Sequence, residues 1–311
     1  MRWPLRNRPT APEATGRGSD GELFDEAFQK RLEYLALVSR RIFSGQSRAE
    51  RRSRRSGTGV EFADYRRYSP GDDIRQIDWN VYGRFDRLVL RQYEEEEDLS
   101  VYILLDCSAS MGLGTPNKLA YGKKLAAALA YVALHHLDRV SITALRDSGV
   151  ERLPPTRGQQ RIFTVFDFLR PLAATGQTKL ADAVATFVAQ NKRRGVAILI
   201  SDLYDPQGFE HCINALRYAR FETHVLHLRS VADAEPAIRG DVELIDVETG
   251  ESRRVTVTDK LLQRYRQRYQ DRLEGIESFC VRKQVGYHGI DTATALEENV
   301  LRLLRRGGLV T

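Results

Sequence analysis

The tightest constraint on this chain is a pair of short apolar runs, each delivering a carboxylate at its carboxyl end. Leu99 to Leu105 leads into Asp106-Cys107-Ser108-Ala109-Ser110, and Val196 to Ile200 leads into Ser201-Asp202. Apolar runs of this length read as strands buried on both faces. Helical periodicity separates and follows them, over Lys118 to Leu137, Gln160 to Leu169, Leu180 to Gln190 and Gly208 to Ala219. Further strands are expected at Arg139 to Leu145, Thr223 to Leu228 and Val285 to Ile290, with Glu151 to Leu153 as an edge hairpin. Alternation of this kind predicts a doubly wound, mostly parallel, Rossmann-like α/β fold. Such folds bind ligands outside the carboxyl ends of their strands.

That end of the sheet is where the chemistry gathers. Asp106, Ser108 and Ser110 lie two residues apart on one loop, so three hard oxygens can face one point. Asp202 follows the second apolar strand, and the loop Gly176-Gln177-Thr178-Lys179-Leu180 offers the Thr178 hydroxyl. An all-oxygen set rich in hydroxyls suits Mg²⁺ or Mn²⁺ rather than Zn²⁺. With few carboxylates in contact, the bound ion would keep waters and an open position for an acidic side chain from a partner.

Composition limits the alternatives. A chain of 311 residues with 42% apolar and 29% charged content can bury one large core, or one core and a small accessory region. Its net charge of +6 is uneven: Arg48 to Arg55 is basic and Glu94 to Asp98 acidic. Without interleaved aromatics, the basic run reads as a linker or partner-binding arm, and no nucleic-acid partner is expected. The three cysteines, Cys107, Cys212 and Cys280, lack metal-ligand spacing and argue for a reducing compartment. The longest apolar run, Leu125 to Leu134, is far short of the ~20 residues that cross a bilayer. A cytoplasmic location is expected.

Three regions follow: a disordered tail over residues 1–20, a helical and irregular segment over 21–98, and the α/β domain over 99–311. Phe24, Phe28, Leu32, Leu35, Val38 and Ile42 mark an amphipathic helix that Gly45 is expected to stop. Val242 to Val247 and Arg253 to Val257, around Thr249-Gly250, predict a β-hairpin.

The ordered set Asp106, Ser108, Ser110, Thr178 and Asp202 resembles the metal-ion-dependent adhesion site (MIDAS) of von Willebrand factor A domains. Those domains carry D-x-S-x-S after the first strand, a Thr in a later loop and an Asp after a hydrophobic strand. One departure is Ser201-Asp202-Leu203-Tyr204, where many such domains have Thr-Asp-Gly. Further upstream come Gly57-Thr58-Gly59-Val60-Glu61-Phe62, Pro70-Gly71-Asp72-Asp73-Ile74-Arg75, Ile77-Asp78-Trp79 and Arg91-Gln92-Tyr93-Glu94-Glu95-Glu96. These resemble the signature of the bacterial family called domain of unknown function 58, in which it precedes a von Willebrand A-like domain. The resemblance spans about Glu22 to Ile290 and implies a MoxR-type AAA+ ATPase as partner.

Two readings of the signature stay open. It either braces the fold through salt bridges among Arg66, Arg67, Arg75, Asp72, Asp73 and Asp78 with Trp79 as a buried anchor, or it docks a partner through the same arginines. The resemblance implies a binding and scaffold protein rather than an enzyme. Asp106, Ser108, Ser110 and Thr178 would hold the ion directly or through water, with Asp202 accepting from its water shell. The alternative is a hydrolase using the same ion to activate water. It lacks an evident general base beyond Asp202. A haloacid dehalogenase-type phosphatase would need Asp where Ser108 stands, and Gly112 to Lys118 lacks a phosphate-loop ending. Cys107 has no paired base and reads as a buried filler, and the six histidines read as structural.

Overall fold

A computed structural model describes residues 23–50, 61–94 and 100–305. The tail expected over residues 1–20 lies outside these, as does most of both charged runs. Helix α1 (Glu26–Glu50) precedes β1 (Glu61–Arg67), α2 (Trp79–Phe85) and β2 (Val89–Glu94). The α/β region then runs β3 (Ser100–Asp106), α3 (Lys118–His135), β4 (Arg139–Arg146), β5 (Gly149–Thr156), α4 (Ile162–Leu169), α5 (Leu180–Gln190) and β6 (Val196–Ser201). It continues through α6 (Glu210–Tyr218), β7 (Glu222–Arg229) and α7 (Val231–Ala234). After these come β8 (Gly240–Ile245), β9 (Ser252–Val257), α8 (Asp259–Arg282), β10 (Gly286–Asp291) and α9 (Leu296–Arg305).

Six strands form the central sheet in the order β10-β7-β6-β3-β4-β5, parallel throughout except for the antiparallel edge β5. Alternate residues of β3 enter opposite cores, which is why the strand is apolar without a break. Val101, Ile103 and Leu105 meet α1, α3, α4 and α9, while Tyr102 and Leu104 meet α5, α6 and α8. The paired strand β6 divides in the same way, with Ile198 and Ile200 on the first face and Ala197 and Leu199 on the second. The doubly wound, mostly parallel expectation holds, with a single antiparallel edge strand. Because β3 and β6 are central neighbours in register (Leu105 beside Ile200), Asp106 and Ser201-Asp202 emerge side by side.

Two local expectations are corrected. Gly45 does not stop α1, which continues to Glu50; an interior glycine costs only about 1 kcal/mol and does not by itself break a helix. Phe28, Leu32 and Leu35 are fully buried in the same core as β3, so α1 packs as part of the α/β body.

Trp79 is the second correction: it is 61% exposed, not a buried anchor. Asp78 is buried instead, beside Ile77; it caps α2 through the N–H groups of Asn80 and Val81 and accepts from Arg91 Nε (2.8 Å) and Tyr65 Oη (2.9 Å). Holding the first turn by its cap leaves Trp79 pointing outward. Arg66 pairs with Asp72 at 2.6 Å across the turn at Gly71, whose φ of +107° suits glycine. The ion pairs Arg66–Asp72 and Arg91–Asp78 thus tie parts of the signature to each other.

Candidate metal centre

The candidate ligands arrive on three loops at the carboxyl edge of β3 and β6. Asp106 Oδ1 accepts the Ser108 N–H at 2.9 Å, which turns the chain so that both serine hydroxyls come together, 3.0 Å apart. Ser110 Oγ reaches Asp202 Oδ1 at 3.3 Å and closes the link between the strand ends. Thr178 comes in on a third loop, docked by two backbone bonds: Ala109 N–H to Gly176 O and Thr175 N–H to Cys107 O. Gly176 has φ +76°, a left-handed conformation that suits glycine. Asp106, Ser108, Ser110, Thr178 and Asp202 are all buried.

Sequence reasoning missed three side chains that shape this site. Ser201 donates its hydroxyl to Asp106 Oδ2 at 2.6 Å and accepts the Leu203 N–H, fixing the carboxylate's orientation. Lys118, the first residue of α3, buries its ammonium 2.6 Å from Asp202 Oδ2 and 3.5 Å from Asp233 Oδ2. Its aliphatic neighbours gave it the look of a helix start, and hydropathy does not flag a buried lysine. Glu248, at the β8–β9 turn, accepts from both Thr178 Oγ1 (2.5 Å) and Thr178 N (2.9 Å). Only folding brings that hairpin to the site.

Leu203 stands where the resemblance has glycine, and its φ is +58°. The left-handed conformation that suits glycine is therefore present, held at a cost of about 1–2 kcal/mol in an L-residue. Leu203 is fully buried in the second core, which offsets that cost.

Electrostatically the pocket is rich in negative charge. Asp106 is pushed well above the usual carboxylate range, first by burial and then by the charge of Asp202. Its partners among the described residues are the hydroxyls of Ser201 and Ser108 and the Ser108 amide, with no cation. His227, beside Ser201 in the sheet, is held neutral: burial and nearby Arg229 push its pKa down to about 3. Burial raises the Cys107 thiol to about 12, in keeping with an inert filler. No group of three or more His, Cys, Asp or Glu side chains able to hold a metal lies among the described residues. A cation here would therefore have to use hydroxyls beside Asp106 and Asp202. Two buried carboxylates and three hydroxyls are an all-oxygen donor set that fits a hard divalent cation such as Mg²⁺, with the Lys118 ammonium offsetting part of the carboxylate charge.

Residues 64–275 match the family described as protein of unknown function DUF58. The chain belongs to this family. A similar relative is uncharacterized protein Rv1480 of Mycobacterium tuberculosis, 28% identical over 249 residues, which cover 78% of this chain and 77% of the relative. Uncharacterized protein MAV169 of Mycobacterium avium is 31% identical over 116 residues, covering 35% and 66%. Among solved structures, BatB from Bacteroides thetaiotaomicron is similar over 67% of this chain and 100% of its own, with a TM-score of 0.40 and 16% identity. The SpRpn10 VWA domain is similar over 66% and 94%, with a TM-score of 0.37 and 13% identity. In this DUF58 chain, no helix among the described residues is long and apolar enough to cross a membrane.

Proposed function

We propose that this DUF58 protein is a metal-dependent protein-binding module, acting with a MoxR-type AAA+ ATPase in the assembly or maturation of other proteins. The supporting observation is the convergence of Asp106, Ser108, Ser110 and Asp202 at one edge of the sheet, with Thr178 on the loop docked against them. Asp106, Ser108, Ser110 and Thr178 would hold Mg²⁺ or Mn²⁺ directly or through water. When bound, the ion supplies an electrophilic position that a partner's Asp or Glu can fill. Asp202, occupied by Lys118 and the Ser110 hydroxyl, suits an outer role toward the ion's water shell. The proposed role is binding rather than catalysis, and the proposed setting is the cytoplasm, where such an ATPase would be met.

The test is capture of a purified MoxR-type ATPase by the immobilised protein. Complex formation should need Mg²⁺, disappear with chelator and fail for Asp106→Ala. Capture that ignores both chelator and substitution would overturn the metal-dependent reading.

A further inference from the structure

The β8–β9 hairpin is a two-stranded sheet of its own, largely exposed along both strands, with Leu244, Ile245 and Val247 open to solvent. Isolated two-stranded hairpins are marginal in water, so something must account for the position of its tip. The turn itself is stiffened. Asp246 accepts the N–H groups of Glu248 (2.8 Å) and Thr249 (2.9 Å), and Gly250 donates to Asp246 O at a φ of +73°. This geometry presents Glu248, which places one carboxylate oxygen on the Thr178 hydroxyl and the other on the Thr178 N–H. Among the described residues, Thr178 is the one expected ligand whose hydroxyl is engaged by an acid from outside the three site loops.

We propose that Glu248 is an internal occupant of the metal centre, so that the hairpin tip closes the position an acidic partner would take. This rests on the metal-binding reading above and adds its regulation. Glu248 carries the chemistry required of a partner, a carboxylate at the hydroxyl-lined face. A partner's acid would have to displace the hairpin, and affinity for it would fall by the fraction of molecules in which the tip is closed.

The experiment compares the full chain with Glu248→Gln, which keeps the side chain's shape and removes its charge. Mg²⁺ binding is measured first in both by calorimetry. Affinity for a hexaglutamate peptide is then measured in saturating Mg²⁺, and amide exchange of residues 240–257 is followed with Mg²⁺ and with chelator. Mg²⁺ should slow exchange at the tip in the parent but not in Glu248→Gln, and the substitution should tighten peptide binding roughly tenfold, within the usual range of such couplings. Mg²⁺ binding to both proteins with unchanged peptide affinity and exchange would overturn the hairpin proposal alone. Absence of Mg²⁺ binding to either would overturn it together with the reading it rests on.

Discussion

Lys118 Nζ lies 2.6 Å from Asp202 Oδ2, and the two side chains are 1% and 0% exposed. In a pocket that also buries Asp106, this ammonium is the compensating charge that the fold itself supplies. Removing one member of such a pair leaves a buried charge without its partner, which costs about 3–5 kcal/mol. Lys118→Met should therefore be destabilised by that order in urea unfolding with chelator, and saturating Mg²⁺ should recover more stability in the variant than it adds to the parent. A loss below about 1 kcal/mol, the same with and without Mg²⁺, would contradict this placement of charge.

Asp106 sets the pH dependence. Burial and the charge of Asp202 raise its folded pKa to about 7, above the ~3.9 of an unfolded aspartate. A raised carboxyl binds more protons folded than unfolded, so its stabilising contribution is complete at acid pH and is lost as pH rises through about 7. The metal-free protein should lose stability from this group between about pH 4 and 7, and Asp106→Asn should flatten that slope. Because a cation needs the ionised carboxylate, Mg²⁺ affinity should rise over the same interval with proton release. Calorimetry in buffers of different ionisation enthalpy measures that release, and its absence would count against Asp106 as a ligand.

In the signature segment the contrast between Asp78 and Trp79 is open to test. Trp79, being 61% exposed, should be replaceable by Ala with a stability change within about 0.5 kcal/mol, whereas a buried anchor would cost several. Asp78→Asn should lower the melting temperature clearly, through loss of the charge-assisted bonds to Arg91 Nε and the α2 cap. Arg91 first, and then the hydrogen bonds from Tyr65 and the backbone, hold the Asp78 carboxyl far below its ordinary value. Its contribution is therefore present above about pH 4 and fades as pH falls toward the folded pKa. A parent and variant that converge at strongly acid pH would bear this out; equal melting temperatures at neutral pH would contradict it.

The parts of this architecture that sequence reveals are those written in local periodicity. The apolar runs of β3 and β6 and the hydroxyl and carboxylate residues that follow them are contiguous in the chain, so strands and candidate ligands could be read together. The sequence shows Leu203 where the resemblance has glycine, but that its backbone keeps the left-handed conformation is visible only in the structure. Lys118 and Glu248 were not legible. Their roles arise from contacts 84 and 70 residues away, and neither has a local pattern that separates a buried ion pair from an ordinary surface charge. Trp79 misled for the converse reason: a large aromatic suggests burial, while the α2 cap at Asp78 decides which way it faces. Gly45 shows the same limit, since a glycine ends a helix only when the chain around it departs from helical geometry.

The central claim is that Asp106 and its neighbours form a hard-cation site, and calorimetric titration of Mg²⁺ and Mn²⁺ into the parent and Asp106→Ala tests it most directly. Circular dichroism would confirm that both are folded. The parent should bind one ion saturably, and the variant should bind it at least roughly 100-fold more weakly, the upper end of the loss that substitution of outer-shell partners alone produces. A parent that binds neither ion, or a folded variant that binds as tightly as the parent, would contradict it.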